Sequence, residues 1–143
     1  MRQTRLLVVA TLFLTLVAGG WIANPAYAQE GHAKHGFSVK QYEDFHDVLH
    51  PLQHEALPNK DFKLIRAKSA LLKRRGQAIV RLGVPRGTSK ENRAEFVSEL
   101  GKFRKALTKY RADARRGTDA QLEASYSAVH DSFEMLVAML PRS

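Results

Sequence analysis

Residues 45–57, Phe45-His46-Asp47-Val48-Leu49-His50-Pro51-Leu52-Gln53-His54-Glu55-Ala56-Leu57, constrain this chain more than any other stretch. Tyr42, Phe45, Val48, Leu49, Leu52 and Ala56 recur at steps of three and four, the period of one buried helix face. His46, His50 and His54 recur at steps of four, so the same helix carries an imidazole strip. Imidazoles one turn apart can converge on one ion. Pro51 sits inside the pattern and has no N–H for the carbonyl of Asp47, so a kink or local widening is expected beside His50. Ser38, with Gln41 three residues later, reads as the capping box that starts this helix. Pro58 and Asn59 end it.

Three further segments have the same period. Asp61 is the expected N-cap of a second helix, with Phe62, Ile65, Leu72, Ile79 and Leu82 on its inner face, stopped by Gly83 and Pro85. Arg86-Gly87-Thr88-Ser89 reads as a turn. A third helix presents Phe96, Leu100, Phe103, Leu107 and Tyr110 and stops at Gly117. Thr118, with Gln121 three residues later, caps a fourth helix whose stripe is Leu122, Tyr126, Val129, Phe133, Leu136 and Leu140, closed by Pro141. No segment alternates as a strand would. Four helices with three short links predict an all-α domain over residues 38–141, an up-down-up-down antiparallel four-helix bundle.

Ahead of this domain, Arg2 and Arg5, the apolar run 6–18 and Ala26-Tyr27-Ala28 have the layout of an export signal cleaved after Ala28. The apolar run is short and broken by Gly19 and Gly20, which disfavours a retained membrane anchor. The expected location is therefore the periplasm or outside the cell. Residues 29–37 form a polar, flexible lead carrying His32 and His35. The formal charge of +9 over the whole chain becomes +7 once Arg2 and Arg5 are removed. In an exported chain whose Lys and Arg lie along several helices, this reads as a solvated basic face rather than a nucleic-acid surface. The chain has no cysteine, which excludes disulfides, thiolate metal sites and thioether-linked haem.

The histidines can be placed on helical wheels. Taking each apolar stripe as zero, His46 falls roughly 75° to one side, His50 roughly 115° and His54 roughly 155°. On the fourth helix His130 lies roughly 70° and Glu134 roughly 110° to the same side. If the first and fourth helices are antiparallel neighbours, these flanks meet, with His46 level with Phe133 and His50 with Val129. The expected metal ligands are His46, His50 and His130, then Glu134 and His54. His54 points mostly outward unless the kink re-aims it. Imidazole and carboxylate donors suit copper, zinc, nickel, cobalt or iron. Asp47 and Glu55 read as solvated charges, and Met135 and Met139 as core filler.

The segment Tyr126-Ser127-Ala128-Val129-His130 resembles the last helix of the cytochrome c′ and cytochrome b562 group, periplasmic four-helix bundles. Tyr126 and Val129 stand where cytochrome c′ has its haem-linking cysteines, and His130 matches the axial histidine. That resemblance implies non-covalent haem b on His130, with Phe45, Tyr126 and Phe133 lining its pocket, for electron transfer or gas binding. A second resemblance is to periplasmic nickel and cobalt sensors. Leu49-His50-Pro51-Leu52-Gln53-His54-Glu55-Ala56-Leu57-Pro58 is similar to their Leu-His-x-x-x-His-Glu-Ala-Val-Pro pattern, and His130 precedes Phe133-Glu134-Met135 as a histidine does there. The second helix lacks the acidic ligand of that family in its interior.

The expectation is an exported helical bundle that binds a transition-metal ion through histidines of its first and fourth helices, for buffering, delivery or sensing. Haem binding is the alternative, and a structural or chaperone-like helical protein without a ligand is the third reading. No nucleophile arrangement, phosphate loop or carboxylate pair points to an enzyme. The expected partner is the metal ion, not nucleic acid or a stable membrane anchor, and a homodimer is compatible with the strip.

Overall fold

The structure, a computed structural model, describes residues 36–141. The expected export signal, 1–28, and all but the last two residues of the lead, with His32 and His35, lie outside the described residues. Helix α1 spans Lys40–Pro51 and continues into a π-helical segment, Leu52–Ala56. Helix α2 spans Phe62–Leu82, α3 Arg93–Arg116 and α4 Asp119–Ala138. The described residues are all-helical, without a strand.

The local signals act much as their chemistry dictates. Asp61 Oδ1 accepts from the Leu64 N–H at 2.9 Å, giving one of the orphan donors of the first turn of α2 a partner. At α4, Thr118 and Gln121 form both bonds of a capping box. Gly83, at φ 72°, terminates α2 in a region open to glycine and costly for a side chain. Ser38, however, does not cap α1. Val39 holds the N-cap position without a side-chain bond, and the Ser38 hydroxyl instead lies 3.4 Å from the carbonyl of Pro141. The carboxylate of Glu43 accepts from the Phe37 N–H at 3.3 Å, so an acid in the first turn serves the start of α1.

Helices α3 and α4 pack most extensively, followed by α2 on α3 and α1 on α2. At one end, Arg66 of α2 ties α3 to α4. Its guanidinium donates to the carbonyls of Asp113 (3.0 Å), Ala114 (3.2 Å) and Gly117 (2.9 Å), and to Asp119 Oδ1 at 2.7 Å. A fixed cation thus meets the carbonyl end of α3, sharing the Asp113 carbonyl with the Gly117 N–H. Nearby, Tyr110 Oη donates to the carbonyl of Ile65 at 2.8 Å.

Among the described residues the core contains seven fully buried rings: Tyr42, Phe45, Phe96, Phe103, Tyr110, Tyr126 and Phe133. Each contributes on the order of 2–3 kcal/mol of apolar burial. The inner face of α2 differs from the expected one. Ser69 and Gly76 are buried on it, while Leu82 is 40% exposed. Leu82 stands five turns beyond Leu64 and shares that residue's outward side rather than the side of Ile79. Gly76 is needed where α2 meets its neighbours, because a Cβ there would lie 2.5 Å from Leu107 Cδ1 and 3.1 Å from Phe45 Cε2. Met135 is also outside the core, 47% exposed, whereas Met139 packs against it.

Two outcomes are expected. Gly76→Val should lower the unfolding free energy by about 1–3 kcal/mol in urea titration, since the buried Leu107 and Phe45 must shift to admit it. Burial also raises the phenols of Tyr42, Tyr110 and Tyr126 well above their ordinary range. A raised folded pKa stabilises the fold fully below the unfolded value of about 10, and this stability is lost as pH rises past it. Stability should fall above about pH 10 by up to about 1.4 kcal/mol per pH unit for each buried tyrosine. Tyrosinate absorbance of these three should appear together with loss of helical circular dichroism, not before it.

Candidate functional site

The strip of histidines is shaped by two prolines. Pro51 and Pro58 lack the donors that the carbonyls of Asp47 and His54 would otherwise meet. Between them the chain widens: Leu57 N–H bonds the carbonyl of Leu52 at 2.9 Å, five residues back rather than four. A π turn advances roughly 85° per residue instead of 100°, which rotates His54 back by up to roughly 60°. His54 therefore swings towards His50 from the outward direction of a regular wheel. Its ring centroid lies 4.3 Å from that of His50, and the centroids of His50 and His46 are 5.2 Å apart. The result is a ladder of three imidazoles. The His46 and His50 residues are half-buried, and His54 is exposed.

The upper end of the ladder is held by aromatic rings. The Phe37 ring meets His46 edge-on at 5.4 Å and Phe133 at 6.2 Å, while His46 is stacked beside Phe133 at 6.3 Å. Phe133 belongs to α4, so His46 and Phe133 are level, as the sequence register anticipates. Tyr126 Oη adds a second tie between these helices, donating to the carbonyl of Leu49 at 3.1 Å.

On α4, His130 is half-buried, and its Nδ1 lies 3.4 Å from Oδ1 of Asp131. Glu134 is exposed, as are Asp47 and Glu55. Among the described residues no group of three or more His, Asp or Glu side chains is arranged to hold a metal ion. The juxtaposition present is along α1, by pairs. Two imidazoles on one ion, each about 2.0–2.1 Å from it through nitrogen at near-tetrahedral angles, place their ring centres about 5 Å apart. The His46–His50 separation of 5.2 Å fits that chelate, with the rings inclined by 51°. The His50–His54 pair is closer to a stacked arrangement.

Haem fits this arrangement poorly. Phe45 and Phe133 lie 4.8 Å apart, Tyr126 is bonded to α1, and all three are fully buried in the core. The rings expected to line a haem pocket fill the space themselves, and a porphyrin beside His130 would have to displace them.

Charge is segregated by helix. The stretch 40–56 has one basic and four acidic residues, and α4 has four acidic residues and no Lys or Arg. By contrast α2 has seven basic residues and no acid, and α3 eight basic residues and three acids. The basic residues are thus concentrated on α2 and α3 rather than spread. A cation meets its most favourable field at the two histidine-bearing helices. A cleft of about 650 Å³ beside α1, lined in part by Glu43, Asp44 and Asp47, lies on this acidic side. Arg75 of α2 reaches Asp44 at 3.1 Å across the boundary.

Comparison with protein-family models, with characterised proteins and with solved structures gives no match.

Replacing Pro51 tests the origin of the ladder. Pro51→Ala restores a donor for the Asp47 carbonyl and should return this segment to regular α-helical bonding. His54 should then stand to His50 as His50 stands to His46, and the nuclear Overhauser contacts between the His50 and His54 ring protons should weaken to the level of those between His46 and His50.

Proposed function

We propose that this is an exported protein, an up-down-up-down antiparallel four-helix bundle, that holds a transition-metal ion exchangeably for buffering or delivery. Ties between the two ends of the chain support the bundle topology. Phe37, Tyr42 and His46 meet Phe133, Ser38 approaches Pro141, and the start of α2 meets the end of α3. Export rests on residues 1–28 alone, through the basic start, apolar run and Ala26-Tyr27-Ala28.

The observation that carries the metal reading is the 5.2 Å separation of the His46 and His50 rings, the spacing of a two-imidazole chelate. His54 stands next on the ladder as a third imidazole donor. His130 and Glu134 are the candidates to approach across the seam between α1 and α4, and a second copy of the chain is the other source of donors. A two-histidine site leaves coordination positions to water, which suits an ion that must be released. Copper, zinc, nickel and cobalt all accept imidazole, with copper(II) bound most tightly in the general order of divalent ions. The acidity of α1 and α4 supports the same reading by concentrating cations there.

Titration calorimetry with copper(II), zinc and nickel tests this. The wild-type chain should bind one ion at the strip and melt at a higher temperature in its presence. His50→Ala removes the imidazole shared by both pairs and should weaken binding about tenfold or more, about 1.4 kcal/mol or more, with helicity unchanged. Unchanged affinity in that variant contradicts the assignment. A comparable loss in His130→Ala would place α4 in the coordination shell.

A further inference from the structure

We propose that the outer side of α2, with the adjoining basic groove of α3, docks on the anionic surface of a lipid bilayer. Residues 62–90 contain nine Lys and Arg and no Asp or Glu. Lys63, Lys68, Arg74 and Arg81 of α2 are exposed, and Arg86 and Lys90 continue the series beyond it. On α3, Arg104, Lys105 and Lys109 line a shallow groove with Thr108 and Ala112. A one-signed face of this kind along a helix about 31 Å long is matched by a surface of closely spaced negative charges.

The apolar residues on α2 choose between kinds of anionic partner. Leu64, Leu71 and Leu82 fall within roughly 20° of one another on the wheel, roughly 60–100° from Lys63, Arg74 and Arg81. Leu64 is 36% and Leu82 40% exposed. Leu64 and Leu71 also border, with Lys68, a groove of about 130 Å³ shared with Asp47, Val48, Pro51 and Leu52 of the first helical segment. Packing against a partner helix requires an apolar residue at nearly every turn of the seam. Here the leucines are seven and eleven residues apart, with Lys68 and Arg75 between them. Widely spaced leucines along a basic helix instead suit a headgroup layer, where Lys and Arg meet phosphate and the leucines enter the acyl boundary. The acidic residues of α4 are repelled by the same surface, which orients the molecule with α2 towards lipid. This inference stands apart from the metal reading.

The absence of cysteine makes the test clean. Ala70→Cys on α2 and Ala128→Cys on α4, both at exposed positions, each give the full chain one attachment point for an environment-sensitive fluorophore. Vesicles of phosphatidylglycerol and phosphatidylcholine should shift the α2 label to shorter wavelength and leave the α4 label unchanged. Pure phosphatidylcholine should shift neither. Lys63→Glu, Lys68→Glu and Arg74→Glu together should raise the lipid concentration needed by about a hundredfold, and raising the salt should act in the same direction. Because the readout is local to each helix, contact of residues 1–28 with the vesicle does not imitate it. An α2 label that ignores anionic vesicles overturns the proposal, as do equal shifts of both labels or an equal response to neutral lipid. Should polyglutamate shift the α2 label while anionic vesicles do not, the face belongs to an acidic protein and the proposal likewise fails. The lipid comparison on labelled wild-type background decides the matter even where the triple variant does not fold.

Discussion

The packing of Phe133 sets where the histidines stand. Its ring lies 4.8 Å from Phe45, 5.9 Å from Tyr42 and 6.5 Å from Phe103, joining α4 to α1 and α3 within one core. It also touches Phe37 and His46 at the edge of that core. Interiors pack near crystalline density, so a ring with this many neighbours fixes the relative height of the helices it joins. His46 is therefore held at a known level beside α4, and the rest of the ladder follows along α1 by helical repeat. Tyr126, reaching the carbonyl of Leu49, repeats the constraint two turns away.

Below His46 the geometry is governed by backbone donors rather than by packing. A regular helix with the same residues would fan its histidines progressively away from the core. The π segment between Pro51 and Pro58 reverses that drift and gathers His54 towards His50. Pro51 stands where α1 passes into the wider π segment, whose inner residues Leu52 and Ala56 remain buried. One face of α1 is thus committed to the core and the flank is left to imidazole. Acidic residues outnumber Lys and Arg on both histidine-bearing helices, while α2 and α3 carry most of the Lys and Arg.

Much of this was legible in the residues. The stripes of α3 and α4, the caps at Asp61 and Thr118, and the stops at Gly83 and Gly117 follow from local chemistry that packing does not override. The widening near His50 was readable from Pro51, but its consequence for His54 was not, since that depends on which carbonyl Leu57 chooses. Ser38 misled because a hydroxyl can bond far along the chain, and here it approaches Pro141. Leu82 misled because apolar character does not imply burial, and Ser69 and Gly76 because small residues take core positions where helices approach closely. Glu99 gave no signal of its burial; its carboxylate is paired with Lys102 at 2.6 Å. The division of charge between helix pairs was visible in the letters, but its meaning required knowing which helices adjoin.

The most direct measurement is the response of individual histidine rings to zinc, followed by nitrogen–proton correlation spectra of the isotopically labelled protein. If the ladder is the metal site, the resonances of His46 and His50 shift together and saturate at one equivalent, His54 moves with them, and His32 and His35 remain at their metal-free positions. Shifts confined to His32 and His35, or none at any ring, would contradict a site on α1.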